Sequence, residues 1–202
     1  MDEARNTLFL RGTALGEPVY SHENHGQKFY RFLLSIRRLS GQEDILPVIT
    51  TFDLLAPLLP LTGQHLALEG QLRSFNNKSG SGSRLVISVF PRTLSPTIEE
   101  DHNTIRLTGI ICKPPILRRT PLGRCICDMM LAVNRRYGRA DYLPCIAWGQ
   151  IAMLTGGMSV GDTLTLEGRV QSRLYTKVLD GIASERTAYE VSIMHLPDDA
   201  AE

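Results

Sequence analysis

A chain of 202 residues, 43% hydrophobic and 21% charged, can bury real cores and has room for two domains of roughly 100 residues each. A formal net charge of +1 excludes a uniformly basic protein. No apolar run reaches membrane-spanning length, and Met1-Asp2-Glu3-Ala4-Arg5 has no apolar segment behind it, so neither a membrane span nor a secretory leader is expected. The charge is unevenly spread. Residues 1–100 carry 10 Lys+Arg against 10 Asp+Glu, whereas residues 103–150 carry eight basic side chains against only Asp128 and Asp141. A local field of that sign can steer a polyanion even when the whole chain is neutral.

The first element is Asn6-Thr7-Leu8-Phe9-Leu10-Arg11-Gly12, and it returns as Asn103-Thr104-Ile105-Arg106-Leu107-Thr108-Gly109. Leu46-Pro47-Val48-Ile49 returns as Leu143-Pro144-Cys145-Ile146, and Leu66-Ala67-Leu68-Glu69-Gly70-Gln71 as Leu164-Thr165-Leu166-Glu167-Gly168-Arg169. The offsets are 97, 97 and 98 residues in the same order, the signature of a duplication. The division expected is a first domain over 1–94, an acidic, proline-bearing linker over 95–102, a second domain over 103–197 and a short acidic tail over 198–202.

In the first copy, Ser21-His22-Glu23-Asn24-His25-Gly26 reads as an exposed loop, since its two histidines lack the further ligands a metal needs. Gly80-Ser81-Gly82 marks its last hairpin, and Leu85 to Phe90 its returning strand. In the second copy, Thr104 to Cys112 alternates as a strand. Cys125, Cys127, Met129, Leu131 and Val133 then form one apolar face at period two. Asp141 to Trp148 is a third strand. Gly149 to Gly157 supplies one or two helical turns with a glycine stop. Asp162 to Arg173 is a fourth strand, with a bend or bulge at Gly168. Residues 175–186 read as a polar hairpin loop around Asp180-Gly181, and Thr187 to Leu196 returns as a fifth strand. The class is therefore all-β: two tandem five-stranded OB-type barrels, each with a short helix between strands three and four. The cysteines Cys112, Cys125, Cys127 and Cys145 lack zinc-site spacing, so they read as buried thiols suited to a reducing cytoplasm.

No nucleophile elbow, phosphate loop or zinc-protease pattern is present, so no catalysis, cofactor or metal is expected. A binding function finds more support, because single-strand binders combine a cationic groove with aromatic platforms. The second copy offers Tyr137, Tyr142, Trp148 and Tyr175, interleaved with Arg135, Arg136, Arg139, Arg173 and Lys177. Tyr142 and Trp148 are an even number of residues apart on one strand, so one sheet face can present both. Tyr189, on the last strand, is assigned to packing.

The segments Asn103–Gly109, Arg119-Thr120-Pro121-Leu122-Gly123, Leu131-Ala132-Val133-Asn134-Arg135, Asp141–Gly149 and Val160–Arg173 closely resemble the bacterial single-stranded DNA-binding protein family, over about residues 103–196. The resemblance implies base stacking on Tyr137, Tyr142, Trp148 and Tyr175, and phosphate contacts from Lys113, Arg118, Arg119 and Arg124. It also implies a homodimer presenting four barrels, a cytoplasmic location and replication proteins as further partners. Two features depart from the family. Opposite the four rings, the first copy has roughly Ser40, Ile45, Thr51 and Asn77, so that barrel is expected to bind weakly and to serve assembly. Phe29, Tyr30, Phe52 and Phe75 could partly substitute for the rings, and Arg31, Arg37, Arg38 and Arg73 remain for phosphate. The C-terminus Leu196-Pro197-Asp198-Asp199-Ala200-Ala201-Glu202 is acidic and short, without the family's aromatic tip, so recruitment through a tail is not expected. The reading is sequence-independent single-stranded DNA binding in replication, recombination or repair. Its alternatives are a replication-restart or scaffold protein whose ligand is another protein, and an RNA-binding OB module.

Overall fold

Alternation of buried and exposed side chains builds the first strand, β1 (Asn6–Ala14), whose Leu8, Leu10 and Ala14 point inward. The computed structural model describes residues 5–77, 84–135, 138–179 and 182–197. The first half continues through β2 (Val19–Asn24), β3 (Gln27–Arg37) and β4 (Glu43–Thr51). A helical turn α1 (Phe52–Leu55), β5 (His65–Asn76) and β6 (Leu85–Pro96) complete it. The second half repeats the order with β7 (His102–Ile111), β8 (Ile116–Arg119), β9 (Cys125–Asn134) and β10 (Ala140–Trp148). Helix α2 (Gly149–Gly156), β11 (Thr163–Leu179) and β12 (Ile182–His195) follow.

In each half five strands close on themselves. Antiparallel pairs β1–β3, β3–β4, β5–β6 and β1–β5 are completed by the parallel pair β4–β6; in the second half β7–β9, β9–β10, β11–β12 and β7–β11 are completed by β10–β12. Closure pairs the backbone groups that an open sheet would leave at its edges. These are the two five-stranded OB barrels expected, with the helix of each half between strands three and four. Each barrel also carries a short flap, β2 on β3 and β8 on β9, that composition does not reveal.

Two element bounds differ from the sequence expectation. Residues 175–179 and 182–186 continue the β11–β12 ribbon, with Tyr175 opposite Arg186 and Thr176 opposite Glu185; Asp180-Gly181, like Gly80-Ser81-Gly82, lies outside the described residues. A ribbon that projects beyond its barrel has solvent on its faces, so its composition resembles a loop's. Similarly, β6 runs on past Phe90 to Pro96, and β7 starts at His102, so strand pairing enters both ends of the stretch 95–102. The bulge expected at Gly168 is present between Glu167 and Gly168, and its duplicate lies between Glu69 and Gly70. A Cβ at Gly168 would lie 2.2 Å from the Ser192 carbonyl oxygen, and one at Gly70 2.3 Å from that of Phe90. Glycine is there because another backbone occupies the space of a side chain.

The barrels are joined by antiparallel pairing of β1 with β7, centred where Leu8 faces Ile105, its own duplicate. Within the first barrel Asn6 ties the start of β1 to β5: its amide donates to the Leu72 carbonyl at 2.7 Å and accepts from the Leu72 N–H at 3.0 Å. Asn103 makes the same pair of bonds to Val170, at 2.7 and 2.9 Å. A second symmetric device crosses between the halves. The buried Asp44 carboxylate takes the Arg38 guanidinium and accepts from the Ser172 N–H at 2.9 Å. The buried Asp141 carboxylate takes Arg135 and accepts from the Ser74 N–H at 2.6 Å. Each interior carboxylate is thus matched by a guanidinium and a backbone donor, which is what keeps a buried charge tolerable.

Candidate nucleic-acid interface

Strand β10 alternates strictly enough to send Asp141, Leu143, Cys145 and Ala147 inward. Tyr142, Pro144, Ile146 and Trp148 therefore share its outer side. Tyr142 is 47% exposed and Trp148 40% exposed. Six residues of strand separate them by about 20 Å. Tyr142 is held by the other barrel, since its N–H donates to Ser74 Oγ at 2.7 Å. Trp148 is the last extended residue before α2 and lies opposite Ile126 of β9, which in turn lies opposite Arg118 of β8. Residues directly opposite in a sheet point to the same face, so Arg118 and Trp148 project from the same side of backbones about 10 Å apart, two strands away.

Tyr175 sits half-buried on the β11–β12 ribbon, with the Arg173 guanidinium carbon 6.0 Å from its ring centroid. Tyr137 and Arg136 lie outside the described residues, as does the side chain of Lys177. Tyr189 is half-buried against the core, and burial pushes its phenol pKa up.

The arginines divide by their partners. Arg135 donates to both oxygens of Asp141 and to the Ser74 carbonyl at 2.9 Å, so its charge is committed to the junction between the barrels. Arg118 pairs with Asp128, Nε to Oδ2 at 2.6 Å, and that hydrogen bond raises the Arg118 pKa. Both groups are solvent-exposed, and such a pair is worth only about 0–1 kcal/mol, so a phosphate can compete for the guanidinium. Arg173 lies 3.7 Å from the largely buried Glu190. Lys113, Arg119, Arg124 and Arg139 are exposed, with no acidic partner among the described residues. Arg119 and Arg124 flank the turn closed by the Thr120 N–H to the Arg124 carbonyl, at the tip of the β8–β9 hairpin.

At the equivalent places of the first barrel Ser40 is exposed, Ile45 is 37% exposed, and Thr51 and Asn77 are half-buried. Other rings stand nearby, and sequence spacing did not order them. Tyr20 meets Tyr30 edge-on at 6.0 Å, Tyr30 meets Phe52 at 5.6 Å, and His22 stacks on Phe29 at 4.9 Å. The signal that would have found this group is the β2–β3 hairpin, which places Tyr20 opposite Tyr30 and His22 opposite Phe29.

None of the four cysteines is bonded to another. Cys127 and Cys145 are buried, and burial pushes the Cys145 thiol up to about 12, which leaves it packed and unreactive. Among the described residues no three of His, Cys, Asp and Glu converge as a metal site requires. Also among the described residues, no helix is long and apolar enough to cross a membrane.

The fold and the exposed face together define a tandem OB-barrel protein with an aromatic and cationic sheet surface. The model of the single-strand binding protein family matches its second half, residues 102–197. Single-stranded DNA-binding protein 2 of Listeria monocytogenes is 34% identical over 80 residues, covering 36% of this chain and 50% of that protein. Single-stranded DNA-binding protein A of Bacillus subtilis is 32% identical over 80 residues, covering 36% of this chain and 46% of its own. The chain thus spans about half the length of the curated relatives it matches. The wild-type single-stranded DNA-binding protein from Thermus aquaticus shares the fold across both halves, with a TM-score of 0.76 at 23% identity, over 98% of this chain and 96% of that one.

Proposed function

We propose that this chain binds single-stranded DNA without catalysis, protecting strands exposed in replication, recombination or repair. The observation that carries the proposal is the pair Tyr142 and Trp148 standing outward on one side of β10, with Arg118 in the tryptophan's row. Bases stack on these rings and on Tyr175, because every base offers a π-face whatever its identity. Exposed Lys113, Arg118, Arg119, Arg124 and Arg139 replace the counterions of the phosphates. Tyr137, Arg136 and Lys177 belong to the same proposed site on sequence grounds. Two such chains would present four barrels to one strand.

Titration with oligo-dT tests the reading. Trp148 is the single tryptophan, so its fluorescence reports directly on the site. Binding should quench it, and affinity should fall with salt. Trp148→Ala and Tyr142→Ala should each cost about 1–3 kcal/mol of binding free energy. Oligo-dT should bind more tightly than oligo-U. Full affinity in Trp148→Ala with its fold intact would remove the indole from the site.

A further inference from the structure

Tyr142 stands on a stretch of β10 that its own barrel pairs on one edge. Strand β9 runs beside β10 from Ala140 to Trp148. On the other edge, β12 pairs with β10 at Cys145 and Ile146, beyond Tyr142. The Tyr142 N–H finds its partner in the first barrel instead. Ser74, near the end of β5 and 5% exposed, accepts it on Oγ at 2.7 Å. The backbone of Ser74 is committed to the same place. Its N–H donates to Asp141 Oδ1 at 2.6 Å, and its carbonyl accepts from Arg135 at 2.9 Å. Hydroxyl, N–H and carbonyl of one buried residue thus all bond the second barrel, around the end of the β9–β10 hairpin.

The duplication supplies a matched comparison. Ser172 repeats Ser74 at an offset of 98 residues, and Tyr142 repeats Ile45 at an offset of 97. The Ser172 N–H donates to Asp44 at 2.9 Å, and Ser172 Oγ accepts from the Ile45 N–H at 3.1 Å. The device is the same in both directions. In one it holds an exposed ring, in the other an aliphatic side chain.

We infer that Ser74 is a positioning residue for the binding face: by fixing the Tyr142 backbone from the first barrel, it holds the ring where a base can stack. The inference rests on the single-strand reading of β10 and deepens it, because the barrel without the family rings then contributes to affinity through a ring of the other. A ring on a fixed backbone loses less conformational freedom when a base lands on it, so the bond acts on binding as well as on folding.

The test uses the full chain and a fluorescein-labelled oligo-dT, read by anisotropy. Ser74→Ala removes the acceptor for Tyr142 and leaves the backbone bonds to Asp141 and Arg135 in place. Ser172→Ala removes the matching atom from the matching site. Ser74→Ala should weaken binding by about three- to tenfold, a fraction of one stacked base, with the salt slope unchanged. Ser172→Ala should bind like the parent. In a Tyr142→Ala background the Ser74 substitution should cost nothing further, whereas in a Trp148→Ala background its full effect should remain. Amide hydrogen exchange at Tyr142 should quicken in Ser74→Ala. Ser74→Cys, which keeps the volume but offers a weak acceptor, should reproduce the loss and replaces the alanine variant if that one does not fold. Parent affinity in Ser74→Ala, equal losses in the two serine variants, or a Ser74 effect that persists without the Tyr142 ring would each overturn the inference. A Tyr142→Ala chain that binds like the parent would instead refute the stacking role of that ring, and the positioning role with it.

Discussion

At the scale of single residues, two arginines eleven positions apart show why charge alone does not locate a phosphate site. Arg135 and Arg124 both belong to the basic stretch of the second half. Arg135 is committed to Asp141, which is 1% exposed, whereas Arg124 stands at a hairpin tip with no acidic partner among the described residues. Removing Arg135 leaves an uncompensated carboxylate in the interior, so Arg135→Ala should lower folding stability by about 3 kcal/mol in a denaturant titration. Arg124→Ala should leave stability nearly unchanged and reduce the salt slope of oligo-dT binding by about 0.7. The reverse pattern would overturn the division made here. The sequence did contain the clue. Arg38 and Asp44 repeat as Arg135 and Asp141 at the same spacing, and the first copy keeps the pair without the four family rings, as a structural pair would be kept. The outward placement of Tyr142 and Trp148 was legible, because alternation on one strand fixes it. The bonds by which Arg135 and Asp141 hold Ser74 were not, because they depend on the approach of a second barrel.

At the scale of elements, legibility follows burial. Strands that wall a barrel have one apolar face, and their period-two pattern is visible: β7, β9 and β10 were found near their true ends. The flaps β2 and β8 are exposed at every position, so no alternation marks them. The outer β11–β12 ribbon, with Leu174 and Val178 each 64% exposed, hides for the same reason. The bulge at Gly168 was readable because glycine interrupts a β-rich run. Its energetics can be tested against a neutral site. Gly168→Ala places a methyl 2.2 Å from the Ser192 carbonyl oxygen, whereas a methyl at Gly16 meets nothing within 4 Å. The first should cost about 1–3 kcal/mol of folding stability, as overpacking does, and the second well under 1 kcal/mol. Equal midpoints in urea for the two variants would show that the ribbon can shift to make room.

At the scale of the whole molecule, the two barrels behave as a dimer written into one chain. The β1–β7 ladder is centred on Leu8 opposite Ile105, Asn6 and Asn103 make equivalent bonds, and the two carboxylate locks exchange between halves. Such a seam is isologous in form: each surface is nearly the complement of its own duplicate. Expressed alone, residues 102–197 would expose β7 as an unpaired edge that carries Asn103 and Ile105. Two copies can restore the ladder by pairing β7 with β7 about Ile105, the register that Leu8 occupies in the intact chain. In that assembly Asp141 would find the Ser172 N–H of the other copy in the place of the Ser74 N–H. Both donors are backbone groups, so the bond stays available in kind. The isolated half should therefore sediment as a dimer at micromolar concentration and dissociate to a monomer on dilution. A half already monomeric at micromolar concentration would mean that the linker alone, by holding the barrels at high effective concentration, sustains the pairing seen in the full chain.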